Sequence, residues 1–369
     1  MQIMDRGSSV PLYIQLKELL RDKIESGDLG DGELLPTEQE LCEQFNLSRY
    51  TVRQALGELV KEGYIERVRG LGSFVRRVPK VANAPAVGII VPYTDDFYTS
   101  SIIRGVEGVA RSEGHNLIFA NSNNHPEQEE TLLRKLRNDG VRGLIIFPCE
   151  DSVYSVAVEG LMSIGFPVVL VDREYKTLDC PAVVSDNVDG GEKAVDYLVS
   201  LGHKRIAFAM TIFNHTSSVQ DRLLGYRTAL ARHHIPWDKS LLLTYAPRLY
   251  DAPEDDADHI APLRRYLARE DRPTAIFAVN DLVALDILRA AAEVGLDVPG
   301  DLSVVGFDDI PVVSELPTPL TTVAQPHLEI GAVGAKMLFH IIAGRTLERT
   351  RVVLPVKLVV RQSCSELSQ

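Results

Sequence analysis

The sequence predicts an α/β protein in two parts: a small N-terminal helical domain closed by a β-hairpin, then a large domain of parallel, doubly wound sheets. Three observations carry this prediction. From Val87 onward, short β-branched runs alternate with segments of helical period, the pattern of buried parallel strands with helices between them. Before Val78 the apolar residues follow a helical period until two short alternating runs meet around a Gly-rich turn. The two parts also differ in charge. The 369-residue chain carries −12, yet residues 46–80 hold eight basic and three acidic residues, a local +5 that leaves −17 for the rest. A small basic face on an acidic body suits a local contact with phosphates.

The totals exclude several classes. A chain of this length exceeds one ordinary core, and 45% apolar with 24% charged residues is a globular composition. Apolar runs such as Val87–Pro92 are far too short to span a membrane. The first residues contain Asp5 and no apolar core of a signal peptide, so a cytoplasmic protein is expected. Cys42, Cys149, Cys180 and Cys364 are scattered, with no CxxC and no metal spacing, which suits a reducing compartment and predicts no metal and no cofactor. No GxSxG, HExxH, P-loop or catalytic Cys/His arrangement is present, so no catalytic residues are assigned and no enzyme is expected.

In chain order, Pro11 opens a first helix with Leu12, Leu16, Leu19, Leu20 and Ile24 on one face, and Gly27 ends it. Thr37 with Glu40 three residues on is a capping-box pattern that starts a short second helix, stopped by Asn46. Ser48 caps a third helix whose apolar positions Val52, Ala55, Leu56, Leu59 and Val60 bury one stripe and leave Arg49, Tyr50, Arg53 and Gln54 outside. Gly63 closes it, and YIERV and SFVRR form a wing around Arg69-Gly70-Leu71-Gly72. A strand rather than a helix follows these glycines, which argues against a nucleotide loop. Two helices joined by a short turn, the second bearing arginines in its first turns, form a helix-turn-helix arrangement. Arginine suits it because the planar fork takes guanine or phosphate in bidentate fashion.

The motifs LPTExxL, SRxTVRxAL and GxGxFV, over about 65 residues, resemble the N-terminal domain of GntR-family bacterial regulators. The resemblance implies a winged helix-turn-helix that contacts double-stranded operator DNA through Glu38, Arg49, Tyr50, Arg53, Arg69 and Gly70, with Ser48 and Thr51 at phosphates.

A Pro/Ala-rich connector, residues 79–86, separates this domain (1–78) from the large one (87–369). The strands there are VGIIVP, NLIFANS, GLIIFP, PVVLVD, AVVSD, RIAFAM, LLLTY, AIFAV and SVVGFD, with helices expected at 102–113, 127–138, 154–164, 191–201, 219–233, 258–269 and 281–294. Two successive sheets with a cleft between them fit the length. Ligands of open α/β sheets lie beyond the carboxyl ends of strands. The polar residues at those positions are Asp95, Asp96, Asn121, Ser122, Asp172, Arg173, Asn280, Asp281, Asp308 and Asp309, with Arg222 on a following helix. Carboxylates, amides and an arginine around one cleft suit vicinal hydroxyls, and Phe97, Tyr98, Phe147 and Phe307 offer faces for an apolar ring. Asp after a strand also serves simply as a turn or cap residue, and Asn280-Asp281 in particular can merely start a helix.

The segments FAVNDLVAL and DLSVVGFDD, with LGHKRIAF, DRLLGYRTAL and LTTVAQP, resemble the effector domain of LacI/GalR-type repressors over nearly all of Val87–Ser363. The resemblance implies the two-lobed periplasmic-binding-protein fold. It places Asp172, Arg222, Asn280 and Asp308 on the ligand, joined by Asp96, Phe97, Ser218 and Gln325. It also implies a first lobe of 87–186 plus 325–346, and a second of 187–323 plus the C-terminal strands. A GntR-type reader on a LacI-type sensor is similar to the arabinose-repressor branch of regulators. The function expected is a dimeric, ligand-responsive repressor of carbohydrate genes, released from its operator when a small sugar closes the cleft. A sugar-binding protein of a transport or sensing system, without DNA control, is the alternative.

Overall fold

The computed structural model describes residues 10–26, 28–68, 71–76, 85–94, 96–149, 155–212, 215–247 and 258–367. Gly27, Arg69, Gly70, Asp95 and most of the connector lie outside the described residues. The chain divides into two compact units, Met1–Ala84 and Pro85–Gln369.

The first unit contains α1 (Leu12–Ser26), α2 (Glu38–Phe45), α3 (Arg49–Lys61), and an antiparallel hairpin of β1 (Ile65–Val68) and β2 (Gly72–Val75). The capping box at Thr37 forms in full, and Asn46 ends α2 in the left-handed region at φ 51°. Its core gathers Leu16, Leu20 and Ile24 of α1 with Leu41, Val52, Ala55, Leu56, Leu59, Ile65 and Val75. Val60 departs from the expected stripe: it is 37% exposed, because eight residues beyond Val52 it sits at the margin of a helical face. Gly72 adopts φ 120° and lets Leu34 close on it, and a Cβ there would lie 2.7 Å from the Leu34 side chain.

The second unit begins with β3 (Ala86–Val91), α4 (Phe97–Ser112), β4 (Asn116–Asn121), α5 (Pro126–Asn138), β5 (Leu144–Ile146), α6 (Val156–Ser163), β6 (Val168–Val171) and β7 (Ala182–Ser185). It continues through α7 (Asn187–Ser200), β8 (Ile206–Thr211), α8 (Ser217–Arg232), β9 (Leu242–Tyr245), α9 (Ala261–Leu267), β10 (Ala275–Ala278), α10 (Asp281–Glu293) and β11 (Ser303–Asp308). The chain ends with β12 (Thr321–Ala324), α11 (His327–Ile342), β13 (Arg351–Leu354) and β14 (Lys357–Val359).

Two six-stranded sheets result, ordered β13-β7-β6-β5-β3-β4 and β14-β12-β11-β10-β8-β9. All pairings are parallel except β14 with β12. Each lobe reverses its strand order at one place, between β3 and β5 and between β8 and β10, and such switch points open the crevice of a doubly wound sheet. The chain passes between lobes three times: from β7 to α7, from β12 to α11, and from β13 to β14. The last crossing corrects the expected partition. Only β14 joins the second lobe, whereas β13 extends the first sheet alongside β7.

The helix α11 and the strands β12 to β14 did not stand out as elements in the apolar periodicity. HLEIGAVGAKMLFHII is apolar on most sides because it packs between the first sheet and α4, with Ile330, Gly331, Gly334, Ala335, Leu338 and Phe339 buried. The contact with α4 is backbone to backbone. A Cβ on Gly105 would lie 2.1 Å from the Leu328 carbonyl oxygen, and one on Gly331 would lie 2.1 Å from that of Ile102. Gly191 and Gly225 make the equivalent crossing of α7 and α8 in the second lobe. Gly105→Ala must therefore push α11 away from α4. A loss of about 1–3 kcal/mol is expected, read as a Tm lowered by several degrees in a thermal melt.

Candidate functional site

In the first unit, α3 presents Arg49, Tyr50 and Arg53 to solvent, with Tyr50 78% exposed. Ser48 caps the helix by accepting from the Thr51 amide, and the two hydroxyls are 2.8 Å apart. Glu38, the first residue of α2, accepts from Arg53 Nη2 at 3.0 Å and Nε at 3.3 Å, and lies 3.6 Å from Arg67 of the wing. The Arg53 guanidinium, aided by Arg67 and Arg49, holds the Glu38 carboxyl below the usual carboxylate range. One carboxylate thus aims two arginines, from the helix and from the hairpin, on the same side of the domain. Arg69 and Gly70, expected at the wing tip, fall outside the described residues.

In the second unit, the strand-end residues of the two lobes meet in one cluster. Asp172 follows β6 at φ 65°, Asp308 ends β11 at φ 119° and Asp309 follows it at φ 61°. Side chains rarely hold such backbone, and its concentration at strand ends marks turns shaped for a purpose. Asp172 is buried, accepts from the Tyr98 hydroxyl of α4, and sits 3.5 Å from Arg173. Burial raises its pKa against the opposing pull of Arg173 and Arg222.

Arg222 of α8 is buried and reaches across the floor of the second lobe. Its Nε donates to Asn187 Oδ1 at 2.8 Å and its Nη1 to the Val279 carbonyl at 2.6 Å, with Asp308 Oδ1 at 3.8 Å. The guanidinium lies 3.8 Å from the Phe307 ring centre. Asp308 is raised by burial, countered chiefly by Arg222, and accepts from Gln325 Nε2 at 2.7 Å.

The turn that carries Asp308 is held from beneath. Buried Asp281 accepts from the Thr322 hydroxyl at 2.6 Å and the Ile310 amide at 2.9 Å, while Arg361 pairs with Asp309 at 2.6 Å. Desolvation raises Asp281 from 3.8 to about 7. A folded-state pKa above the unfolded value contributes stability that is complete below pH 4 and is lost as pH rises through about 7. Asp281→Asn keeps both hydrogen bonds, since the Thr322 hydroxyl can accept as well as donate. The variant is expected to flatten the fall of Tm between pH 5 and pH 8, and an unchanged slope in a series of melts would contradict this. In the first lobe, buried Glu129 of α5 plays the corresponding part, accepting from the Cys149 amide and the Tyr175 hydroxyl, each at 2.9 Å.

Other expected positions resolve differently. Asp96 is the N-cap of α4 and accepts from the Thr99 amide, so Phe97 and Tyr98 belong to a helix rather than a loop. Asn280 caps α10 through its carboxamide oxygen, at 2.8 Å from the Val283 amide. Ser218 is buried in the first turn of α8 and Gln325 is buried after β12. Phe147 and Phe307 are buried beneath Arg173 and Arg222, so they support cations rather than offering open faces; Phe97, 44% exposed, remains available. Asn121 bonds within its own turn, and Ser122 bonds to the Val91 carbonyl. Asn187 and His327, not singled out from the sequence, also join the neighbourhood. Asn187 follows the VVSD run directly, the one sequence signal that pointed to it. Contacts also cross between lobes at the rim, where Ser217 Oγ accepts from the Glu174 amide at 2.9 Å and Lys176 pairs with Asp221.

Among the described residues no group of three or more His, Cys, Asp or Glu is placed to hold a metal, and no helix is long and apolar enough to cross a membrane.

Comparison with known proteins agrees with both units. Residues 12–75 match the family of bacterial regulatory proteins, gntR family, and residues 195–364 match the periplasmic binding protein-like domain. The chain is 35% identical to the arabinose metabolism transcriptional repressor of Geobacillus stearothermophilus, over 98% of this chain and 100% of that one. It is 30% identical to the protein of the same name from Halalkalibacterium halodurans, over 96% of each. A LacI family transcriptional regulator from Enterococcus faecium, solved with bound ribose, superposes with a TM-score of 0.65 at 28% identity, covering 77% of this chain and 100% of that one. The chain therefore belongs to the family of the arabinose metabolism transcriptional repressors, regulators that join a GntR-type DNA-binding domain to a periplasmic-binding-protein-like effector domain.

Proposed function

We propose that the protein is a cytoplasmic, homodimeric repressor of carbohydrate-utilisation genes that leaves its operator when a small sugar fills the cleft. The observation that carries this reading is the cluster of Asp172, Arg222, Asp308 and Gln325, drawn from both lobes within one fold. Paired carboxylates, a carboxamide and a guanidinium are the groups that hydrogen-bond adjacent hydroxyls. Asp96, Phe97, Ser218 and Asn280 complete the proposed sugar site, with Phe97 against the ring. Glu38, Ser48, Arg49, Tyr50, Thr51, Arg53, Arg69 and Gly70 form the proposed operator face. The protein has no catalytic role in this reading. The names of the two arabinose repressors and the ribose held by the Enterococcus faecium regulator support a sugar.

Homodimerisation is supported by β4. Among the described residues this edge strand pairs only with β3, and it exposes Ile118 and Phe119, the latter 45% accessible. An apolar edge left open invites a second chain, and a dimer matches a two-fold operator. Sugar binding draws the lobes together, and the first lobe, entered directly from the connector, transmits the change. Coupling of this kind is worth about 1–3 kcal/mol, roughly 5- to 150-fold in operator affinity.

The test is a thermal-shift screen of the purified protein against pentoses, hexoses, uronic acids and disaccharides, followed by operator gel shifts with each hit. A true effector at a hundred times its Kd stabilises by about 2.7 kcal/mol and lowers operator affinity. Failure of every sugar to raise Tm at millimolar concentration would overturn the proposal.

A further inference from the structure

Resting on the sugar reading above, we propose that His327 is a specificity-determining contact of the cleft, taking one hydroxyl of the bound sugar on its imidazole Nε2 while Gln325 Oε1 accepts from another. Gln325 lies on the crossing from β12 to α11, and His327 opens α11. Both are buried, at 7% exposure each, and each buries one polar atom that meets no partner: His327 Nε2 and Gln325 Oε1. Their other contacts fix where they sit. Gln325 Nε2 donates to Asp308 Oδ1 at 2.7 Å, so the carboxamide is oriented with its oxygen outstanding. The imidazole packs edge-on to Tyr98, ring centres 4.5 Å apart, and Tyr98 in turn donates to Asp172. It also meets the exposed Phe97 ring at 6.4 Å. The His327 ring therefore lies beside Tyr98, which reaches Asp172, and beside the exposed Phe97, two residues along the chain from the Gln325 that reaches Asp308.

Chemistry then selects the guest. Burial pushes the His327 pKa down to about 4, so the imidazole is neutral near pH 7 and does not attract anions. A buried polar atom without a partner is costly, and the cost is recovered when a ligand supplies one. Gln325 Oε1, Asp308 and Asp172 are acceptors, so the ligand must bring donors. A neutral imidazole nitrogen either donates or accepts, and a hydroxyl satisfies both cases. An imidazole kept only for packing on Tyr98 would be replaceable by any flat ring, and this is where the two roles separate.

The experiment is calorimetric titration of L-arabinose and its monodeoxy derivatives into the wild-type protein, His327→Phe and His327→Gln, with melts of each ligand-free protein. Phenylalanine keeps the ring against Tyr98 and removes the polar atom. Expected results are a Tm for ligand-free H327F equal to or above wild type and L-arabinose affinity reduced roughly 5- to 100-fold. One monodeoxy derivative should lose about as much affinity on the wild-type protein, yet lose almost nothing further on H327F. H327Q, whose amide still meets a hydroxyl, should keep part of that discrimination, and it carries the test if H327F fails to fold. Wild-type affinity in H327F, or an identical deoxy pattern in all three proteins, overturns the inference alone. Absence of L-arabinose binding to the wild-type protein overturns it, whereas the sugar reading falls only if no sugar raises Tm.

Discussion

Replacing Arg53 by alanine is expected to weaken operator binding by about 1–3 kcal/mol, roughly 5- to 150-fold, and to flatten the preference among operator bases. The side chain projects from the first turns of α3, is 65% exposed, and is held by the Glu38 carboxylate rather than by the core. Its removal takes away a preoriented bidentate donor, not a structural strut. An ion pair this exposed adds little to folding, so the melting temperature of R53A should stay near wild type, and the loss belongs to recognition. The Glu38 contact makes a second expectation specific. Glu38→Gln weakens the hold on both Arg53 and Arg67, and should produce a smaller loss of the same kind. Gel shifts against the operator and a set of single-base variants decide the matter. Unchanged affinity in R53A would show that α3 is not the reading helix.

How far the sequence revealed these features differs between the two units for physical reasons. Local chemistry was legible. The Thr37-Glu40 capping box, the Ser48 cap and the Asn46 stop depend on residues three or four apart, and the structure contains all three. The parallel strands were legible because strands covered on both faces are apolar throughout. The helix α11 was not, because a helix buried on most sides loses its period. The assignment of β13 was not, because register against β7 is a long-range fact with no local trace. The same division holds in the cleft. Position after a strand identified Asp172, Asp308 and Asn280, and of the two roles open to Asn280 the structure shows the helix cap; only the fold shows that Arg222 threads between Asn187, Val279 and Asp308. Aromatic residues near strand ends suggested ring faces, yet Phe147 and Phe307 are covered by arginines that the sequence places far away. His327 gave no signal at all, since its meaning lies in what fails to contact it.

Arg222→Ala is expected to abolish the sugar response while leaving operator binding in the absence of sugar. The operator face belongs to the other compact unit, so its groups persist in the variant. In the cleft the consequences are large, because Arg222 is the chief cation opposing the desolvation of Asp308 and, after Arg173, opposes that of Asp172. Removing one partner of a buried pair costs about 3–5 kcal/mol through the charge left behind. Here it also strands Asn187 Oδ1 and the Val279 carbonyl and uncovers the Phe307 ring. The two carboxyls answer by holding protons to higher pH. A raised folded-state pKa confers stability at low pH that is lost as pH rises, so the Tm deficit of R222A should be larger at pH 8 than at pH 5. A protonated Asp308 no longer offers a carboxylate to a hydroxyl, and sugar affinity should fall at least 100-fold, the scale of losing a buried charged contact. Sugar titration into a preformed operator complex reads the outcome directly: wild type releases the DNA and R222A retains it. Normal release by R222A would remove Arg222, and with it the cluster around Asp308, from the effector site.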